Sequence, residues 1–293
     1  MKKTKVFLFG SGSILQDATS NRSIFYYYFI MKMALHYHCK TMLYANGIGP
    51  ISKKKNRKNV AKILEKVDLI TLRDQDSIDF LSELQPNHHA FLTQDDAFSY
   101  DIETIEPIIL PKKAEGKTIV GINFKFNSEQ DPKIKEIAKG LKELAIRHNL
   151  FYFLIPYHLY QDLLPLKALQ QELSDYSILS EAPNDPEAMI RYAASCNYQI
   201  VERLHGQIIA TMLGQPFLPI DYDPKTKSFA EQAGMSKYLI RHEDLSNDTL
   251  ICLFEEIFHK SVEIKQELLQ FNQKAKKDAN LNREYLYQII KNF

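Results

Sequence analysis

The sequence predicts an α/β protein built on parallel sheets. Short apolar runs alternate with longer amphipathic segments along most of the 293 residues, a pattern typical of βαβ units whose helices cover both faces of a sheet. Residues 101–117 interrupt this alternation with two prolines, several charges and a glycine. Because such composition marks linkers, we expect two Rossmann-like domains, at 1–110 and 111–293.

Each element of the first domain follows from its local pattern. The predicted strands are 6–9, 41–44, 69–72 and 90–93. The predicted helices are 20–37, 53–66 and 78–84. Residues 10–17 and 46–50 contain backbone breakers, which predict turns after the first two strands. We expect the aromatic stripe at 26–29 to pack into the core and at the domain interface, and not to form a stacking platform.

The second domain repeats the same alternation. The predicted strands are 118–123, 151–155, 176–179, 195–201 and 217–220. The predicted helices are 132–148, 162–174, 186–194, 206–213 and 225–232, with a charged helical tail at 250–293. Gly234 is the predicted C-terminal cap of the helix at 225–232.

Composition excludes several classes of function. A net charge of +1 gives no basic face for general nucleic-acid binding. The three cysteines show no CxxC spacing and cannot all pair, which favours a reducing compartment, here the cytoplasm. Histidines and cysteines do not cluster at ligand spacing, so we expect neither a metal nor a cofactor. No uninterrupted apolar run of about 18 residues indicates a transmembrane helix.

A basic run occurs at Lys53, Lys54, Lys55, Arg57 and Lys58. The run is either a solvated helix face or a contact with a charged polymer or with an anionic membrane surface, peripherally at the inner face of the membrane.

The turns at 203–206 and 222–225 hold the main candidate site. Arg203, His205 and Lys225 follow two predicted strands, and turns after parallel strands line the ligand crevice of such folds. A cation at a helix N-terminus is unfavourable unless an anion binds there. These residues therefore predict a pocket for a small, multiply charged anion.

The segment 10–17 has two interpretations. It lacks the third glycine of a dinucleotide fingerprint, because Leu15 stands in that place. The remaining glycines either bind a ligand or permit a tight turn. The paired acids Asp95–Asp96 and Asp221/Asp223 are better explained as helix caps than as catalytic groups.

Five segments, in order, resemble the polysaccharide pyruvyl transferases, especially the CsaB type. They are Gly10–Asp17 with Thr19, Ser20 and Ser23, then Leu43–Pro50, Val67–Asp74, Arg203–His205, and Tyr222–Lys225 with Phe229, Ala230 and Gly234. Each motif is weak alone, but the ordered set is specific.

The resemblance implies a GT-B-like fold of two Rossmann-like domains facing a cleft. It also implies phosphoenolpyruvate as donor, a sugar on a polymer or lipid carrier as acceptor, and a pyruvyl ketal as product. His205 and Arg203 are the implied catalytic residues, and His205 either donates a proton or holds the phosphate. The implied donor-binding residues are Lys225, Arg203, His205 and Lys125. The expected acceptor-binding residues are Gly10, Ser11, Gly12, Ser13, Asp17 and Asn46.

Two departures from the family pattern accompany the resemblance. The N-terminal domain is expected to be shortened, because the chain begins one strand before the glycine-rich segment. Lys125 stands where family members often have an arginine, and lysine lacks the bidentate fork. Two alternative functions stay open: a glycosyltransferase that uses a nucleotide sugar, and a non-catalytic paralogue that binds a sugar polymer.

Overall fold

The chain forms two compact units in the computed structural model, which describes residues 3–17, 21–84, 89–183 and 185–291. One unit comprises Met1–Tyr100 with Gln273–Phe293, and the other comprises Asp101–Asn272. These units differ from the predicted domains at two segments, the end of the C-terminal tail and the linker. The hydrogen bonds of each segment explain the difference.

The first difference is the end of the tail, which was expected in the second domain. Asn282 is fully buried; it accepts a hydrogen bond from the Thr93 hydroxyl at 2.9 Å and donates to the Gln94 carbonyl at 3.1 Å. The second difference is the start of the second unit. The Ile108 N–H donates to the Ser195 hydroxyl at 2.9 Å, so the linker packs as part of that unit.

The first unit contains a parallel sheet covered by helices. Its strands are β1 (Val6–Phe9), β2 (Gly12–Leu15), β3 (Lys40–Ile48), β4 (Leu69–Leu72) and β5 (Phe91–Leu92). Its first helices are α1 (Asn21–His36), α2 (Lys54–Leu64) and α3 (Gln75–Leu84). The order is β1-β3-β4-β5, and β2 also pairs with β3.

Two predicted turns of this unit are strand instead. Residues 12–15 form β2, which pairs with β3 at Gly12↔Asn46, and β3 continues through 46–48. The chain accommodates this because Gly12 adopts a φ of 137° and Ala45 a φ of 50°. The register of β3 against β4 shifts at that point, as at a β-bulge.

The second unit contains a six-stranded parallel sheet. Its strands are β6 (Thr118–Asn123), β7 (Leu150–Leu154), β8 (Ser177–Leu179), β9 (Tyr198–Val201), β10 (Phe217–Asp221) and β11 (Ile240–Arg241). Its helices are α4 (Lys133–His148), α5 (Leu159–Glu172), α6 (Pro186–Ala194), α7 (Leu204–Met212), α8 (Pro224–Gln232) and α9 (Asn247–His259). Gly234 follows α8 at a φ of 73°, so its predicted capping role is confirmed.

The last helix, α10 (Ser261–Lys291), runs for 31 residues and belongs in part to each unit. Within the described ranges, no helix has the length and apolarity needed to cross a membrane.

The order of the second sheet, β11-β10-β9-β6-β7-β8, reverses direction beside β6. The chain builds outward from β6 through β7 and β8, and then returns to add β9 on the other side. In open α/β sheets, ligands bind at the carboxyl ends of the strands where the order reverses. The topology therefore indicates a ligand site among the residues that follow β6 and β9.

Candidate functional site

Arg203 directly precedes α7, and its guanidinium donates hydrogen bonds to three side chains. Nη2 donates to the Asp162 carboxylate at 2.5 Å and to the Gln161 amide oxygen at 2.8 Å. Nη1 donates to the Tyr222 hydroxyl at 3.3 Å. The Asp162 side chain is fully buried and that of Arg203 is 13% exposed. The two opposite charges therefore compensate each other away from solvent.

The same contacts set the protonation of this cluster. Burial lowers the pKa of Arg203, but the bonds to Asp162 and Tyr222 more than reverse this and raise it above its ordinary value. Arg203 is thus a fixed cation whose charge Asp162 already balances. Its predicted contact with a donor stays a prediction, and its observed role is to hold Tyr222 and α5 in place.

His205 is exposed in the first turn of α7, and the next residue explains how the helix begins there. A Cβ atom at Gly206 would lie 3.0 Å from Cγ1 of Val201 and 3.2 Å from Cε2 of Tyr157. A larger residue would force the start of α7 away from the end of β9. Gly206 thereby lets α7 begin close to the end of β9, where the His205 side chain is exposed.

Lys225 lies in the first turn of α8, and Asp223 is the N-cap of that helix. The Asp223 carboxylate accepts the Lys225 N–H at 3.0 Å, which confirms the capping role predicted for Asp223. The Lys225 ammonium lies 3.9 Å from Oδ2 of Asp223, and its side chain is 32% exposed. This cation remains accessible to an anion.

A polar pocket of about 450 Å³ lies at the carboxyl ends of β6, β9, β10 and β11. Lys125 lines it, with Nζ 4.1 Å from the centroid of the Tyr222 ring. The Arg203 guanidinium lies 5.6 Å from the same centroid. The other lining residues are Asn127, Glu202, Asp221, Arg241, His242 and Glu243. The structure therefore brings Lys125 and Arg203 together around the Tyr222 ring. His205 and Lys225 are not among the residues that line this pocket.

The pocket also contains an acid–histidine pair that the sequence did not reveal. Glu202 is 1% exposed. Its carboxylate accepts a hydrogen bond from the backbone N–H of Lys125 at 2.5 Å and lies 2.7 Å from Nδ1 of His242. The hydrogen bond to Glu202 raises the pKa of His242, although burial lowers it in part. Burial also raises the pKa of Asp221. The only hint in the sequence is Glu202 itself, an acid immediately after a buried strand.

The glycine-rich segment of the first unit allows an unusual backbone conformation at Gly12. Gly10 and Ser11 are exposed, and Gly12 provides a left-handed φ that few other residues adopt. The Ser13 hydroxyl accepts from Nη2 of Arg73 at 3.1 Å. The kinked strand β2 accounts for Gly12, and the acceptor-binding role of this segment stays a prediction.

Asp17 accepts hydrogen bonds from residues at the start of α2. Its Oδ1 accepts the N–H and hydroxyl of Ser52 at 2.8 and 3.0 Å. Its Oδ2 accepts the Lys53 N–H at 3.2 Å and the Asn56 amide at 2.8 Å. Burial raises the pKa of Asp17, but these bonds lower it more, to about 2. Both carboxylate oxygens therefore stabilise the start of α2, and the acceptor-binding role of Asp17 stays a prediction.

Asn46 is likewise enclosed by the sheet. It is fully buried in β3, and its amide donates to the Phe9 carbonyl at 2.7 Å and to the Tyr44 carbonyl at 3.1 Å. The side chain has no exposed surface in this structure, and its expected contact with an acceptor stays a prediction. Its role is to join β1 to β3 at the bulge.

Arg73 organises the same edge, although it was not predicted as a site residue. It is 7% exposed, and its Nη1 donates to Asp95 at 2.5 Å. Asp95 also caps a short 3₁₀ turn by accepting the Ala97 N–H at 3.1 Å, as predicted for this acid. The motif at Val67–Asp74 therefore supplies Arg73 to a buried ion pair with Asp95.

The family model for polysaccharide pyruvyl transferases matches residues 1–224. The chain belongs to the polysaccharide pyruvyl transferase family. The protein is therefore a transferase of polysaccharide biosynthesis. Of the motif residues, Thr19 and Ser20 lie outside the described part of the chain.

Solved structures of low sequence identity share the fold of this pyruvyl transferase family member. A Listeria monocytogenes protein assigned as a UDP-N-acetylglucosamine 2-epimerase has a TM-score of 0.69 at 11% identity, over 99% of this chain and 75% of that one. Staphylococcus aureus MnaA, solved with UDP, has a TM-score of 0.65 at 13% identity, over 96% and 74%. The UDP-GlcNAc 2-epimerase from Neisseria meningitidis, bound to UDP-GlcNAc, has a TM-score of 0.63 at 15% identity, over 94% and 75%.

These neighbours are GT-B-type enzymes, which confirms the predicted fold of Rossmann-like parallel-sheet domains. No curated protein sequence is significantly similar to the chain.

Proposed function

We propose that the protein transfers the pyruvyl group of phosphoenolpyruvate onto a sugar of a cell-surface polysaccharide, or of its lipid-linked precursor, as a ketal. The observation that carries this proposal is the match of the chain to the pyruvyl transferase family. The second sheet supports it, because His205, Lys225 and Lys125 all follow strands at its carboxyl edge. Phosphoenolpyruvate carries a phosphate and a carboxylate, which such cations bind.

The reaction balances without an external oxidant or reductant. A proton adds to the methylene carbon of phosphoenolpyruvate and leaves an oxocarbenium-like centre at the adjacent carbon. One sugar hydroxyl attacks that centre, and the bond to the phosphate oxygen breaks. A second hydroxyl then closes the ketal. Of the two hydroxyl protons released overall, one replaces the proton used at the methylene carbon and the other leaves with phosphate.

The positions of the exposed His205 and the partly exposed Lys225 suit the donor side of this reaction. Both lie in the first turn of a helix, where backbone N–H groups favour anions. We propose that Lys225 compensates the negative charge of phosphoenolpyruvate and that His205 either protonates the methylene carbon or holds the phosphate. Both roles for His205 require the exposed imidazole that is observed.

A glycosyltransferase that uses a nucleotide sugar is the second candidate. It is favoured by the GT-B-type neighbours, two of which were solved with UDP or UDP-GlcNAc. The pocket at β9 and β10 also contains carboxylates, Glu202 and Asp221, which are suited to accept hydrogen bonds from a ribose.

Calorimetric titration of the full chain separates these candidates. We expect binding of phosphoenolpyruvate and no binding of UDP-GlcNAc. Lys225→Ala and His205→Ala should each weaken donor binding by about 10- to 150-fold, since each removes a charged or polar contact worth roughly 1.5–3 kcal/mol. The matched controls are Lys227→Ala, on the same helix and 57% exposed, and His259→Ala, exposed at the end of α9.

Two results would contradict the proposal. Binding of UDP-GlcNAc without phosphoenolpyruvate would favour the glycosyltransferase. Unchanged affinity in both site variants would remove Lys225 and His205 from the donor site. Phosphate release from phosphoenolpyruvate on addition of a sugar polymer with adjacent free hydroxyls distinguishes an enzyme from a non-catalytic binding protein.

A further inference from the structure

Helix α1 exposes aromatic side chains along one side. Phe25, Tyr26 and Phe29 are 68%, 59% and 51% exposed. Residues three and four apart share a helix face, so these rings form one stripe, which continues to the exposed Lys32. The expectation that the segment packs into the core is correct only for its other side, where Tyr27 and Tyr28 contact core residues.

Helix α2 exposes lysines in place of aromatic residues. Residues 53–66 hold six lysines and Arg57, with Glu65 as the only acid. The exposed lysines are Lys53, Lys54, Lys55, Lys58, Lys62 and Lys66. Among the cations of α2, Arg57 alone pairs with a described carboxylate, that of Glu83 at 2.8 Å. The remaining positive charge faces solvent.

The aromatic stripe and the lysines belong to one surface. Helix α1 packs directly against α2, and both connect parallel strands in the order β1-β3-β4. Successive right-handed crossovers in one direction place their helices on the same face of a sheet. Ile24 and Met31 of α1, and Val60 and Ile63 of α2, are buried, so the opposite sides of both helices point away from the core together.

The charge pattern of this surface decides what covers it. A second copy of the same surface would place lysines against lysines, which is repulsive. A soluble polyanion would use the lysines but not the aromatic rings. An anionic bilayer uses both, because lysines bind its headgroups and aromatic rings favour the interface between headgroups and acyl chains. We propose that the outer faces of α1 and α2 dock the protein onto an anionic lipid bilayer.

Vesicle sedimentation with the full chain tests this docking without any use of catalytic activity. We expect binding to vesicles of phosphatidylcholine with phosphatidylglycerol, little binding to phosphatidylcholine alone, and weakening by salt. Lys54→Glu/Lys58→Glu should reduce the partition coefficient about tenfold or more, since each lysine near such a surface contributes about 1 kcal/mol. The matched control is Lys135→Glu/Lys139→Glu, an exposed pair of the same spacing on α4.

A second pair of variants tests the aromatic stripe. Phe25→Ala/Phe29→Ala should reduce binding to the anionic vesicles severalfold. The control Tyr160→Ala/Leu164→Ala removes side chains that are 91% and 57% exposed on α5 and should leave vesicle binding unchanged.

The proposal fails if the protein does not bind anionic vesicles, or if the α4 control lowers binding as much as the α2 variant. It also fails if the protein binds heparin through Lys54 and Lys58 while vesicle binding is absent, because the surface would then be a site for a soluble polyanion. Reduced vesicle binding in both the lysine and the aromatic variants, with both controls unchanged, supports it.

Discussion

The carboxyl edges of the two sheets carry similar kinds of residue but use them differently. In the first unit, Asp17 and Arg73 are buried and hydrogen-bonded to other parts of that unit. In the second unit, His205 is exposed, Lys225 is partly exposed, and Lys125 lines a polar pocket. Polar residues at a strand end therefore do not identify a ligand site by themselves. What distinguishes the second edge is that its cations keep accessible surface.

Arg203 is the exception within the second edge, and its removal should have the largest effect on stability. Arg203→Ala leaves the fully buried Asp162 charge without its partner, and such losses cost about 3–5 kcal/mol of unfolding free energy. Urea denaturation measures this loss. The control Arg241→Ala, whose side chain is 63% exposed, should change the midpoint little. Equal effects of the two variants would mean that the Arg203–Asp162 pair is not shielded from solvent.

Asp17 provides the corresponding test in the first unit, with a smaller expected effect. Asp17→Ala removes four hydrogen bonds at the start of α2 and should destabilise the protein by about 1–2 kcal/mol, as the loss of a helix cap does. Asp76→Ala, at an exposed position in the first turn of α3, is the control. A stable Asp17→Ala protein with weakened sugar binding would instead support the acceptor-binding role predicted for Asp17.

Local patterns predicted most of the fold. The strand at Thr118–Asn123 and the helix at Pro186–Ala194 have the predicted bounds, because hydrophobic periodicity and a capping Asp–Pro pair are local signals. The strand Ile240–Arg241 was missed because its two residues contain no period and only one of them is apolar, whereas β5, of the same length, lies inside the apolar run at 90–92. Glycines misled at 12–15, where Gly12 supports a kinked strand and not a turn.

The site was predictable only in part, for a related reason. The motif containing Arg203 and His205 is contiguous and could be recognised, but the partner of Arg203 is Asp162, 41 residues earlier. His242 pairs with Glu202 across 40 residues. Burial and pairing over such separations depend on strand order, which no local pattern contains. The accessible cations were therefore found, and the acids that neutralise or orient their neighbours were not.

The Glu202–His242 pair gives the smallest expected effect and the sharpest test of the second edge. Its hydrogen bond raises the pKa of His242 above the ordinary 6.5, against burial and the charges of Lys133 and Lys125. The folded state therefore favours the protonated imidazole. The resulting stability is fully present below the unfolded pKa, about 6.5, and is lost as the pH rises through the higher folded value.

We expect the melting temperature of the native chain to fall more steeply across that range than that of Glu202→Gln, in which the neutral amide no longer favours the imidazolium. NMR titration of the His242 ring should show its pKa falling in the Glu202→Gln variant. The ring signals of the exposed His259 serve as the internal reference in both proteins. An unchanged His242 titration would mean that Glu202 does not orient this imidazole, and the pocket would then lose its acid–histidine pair.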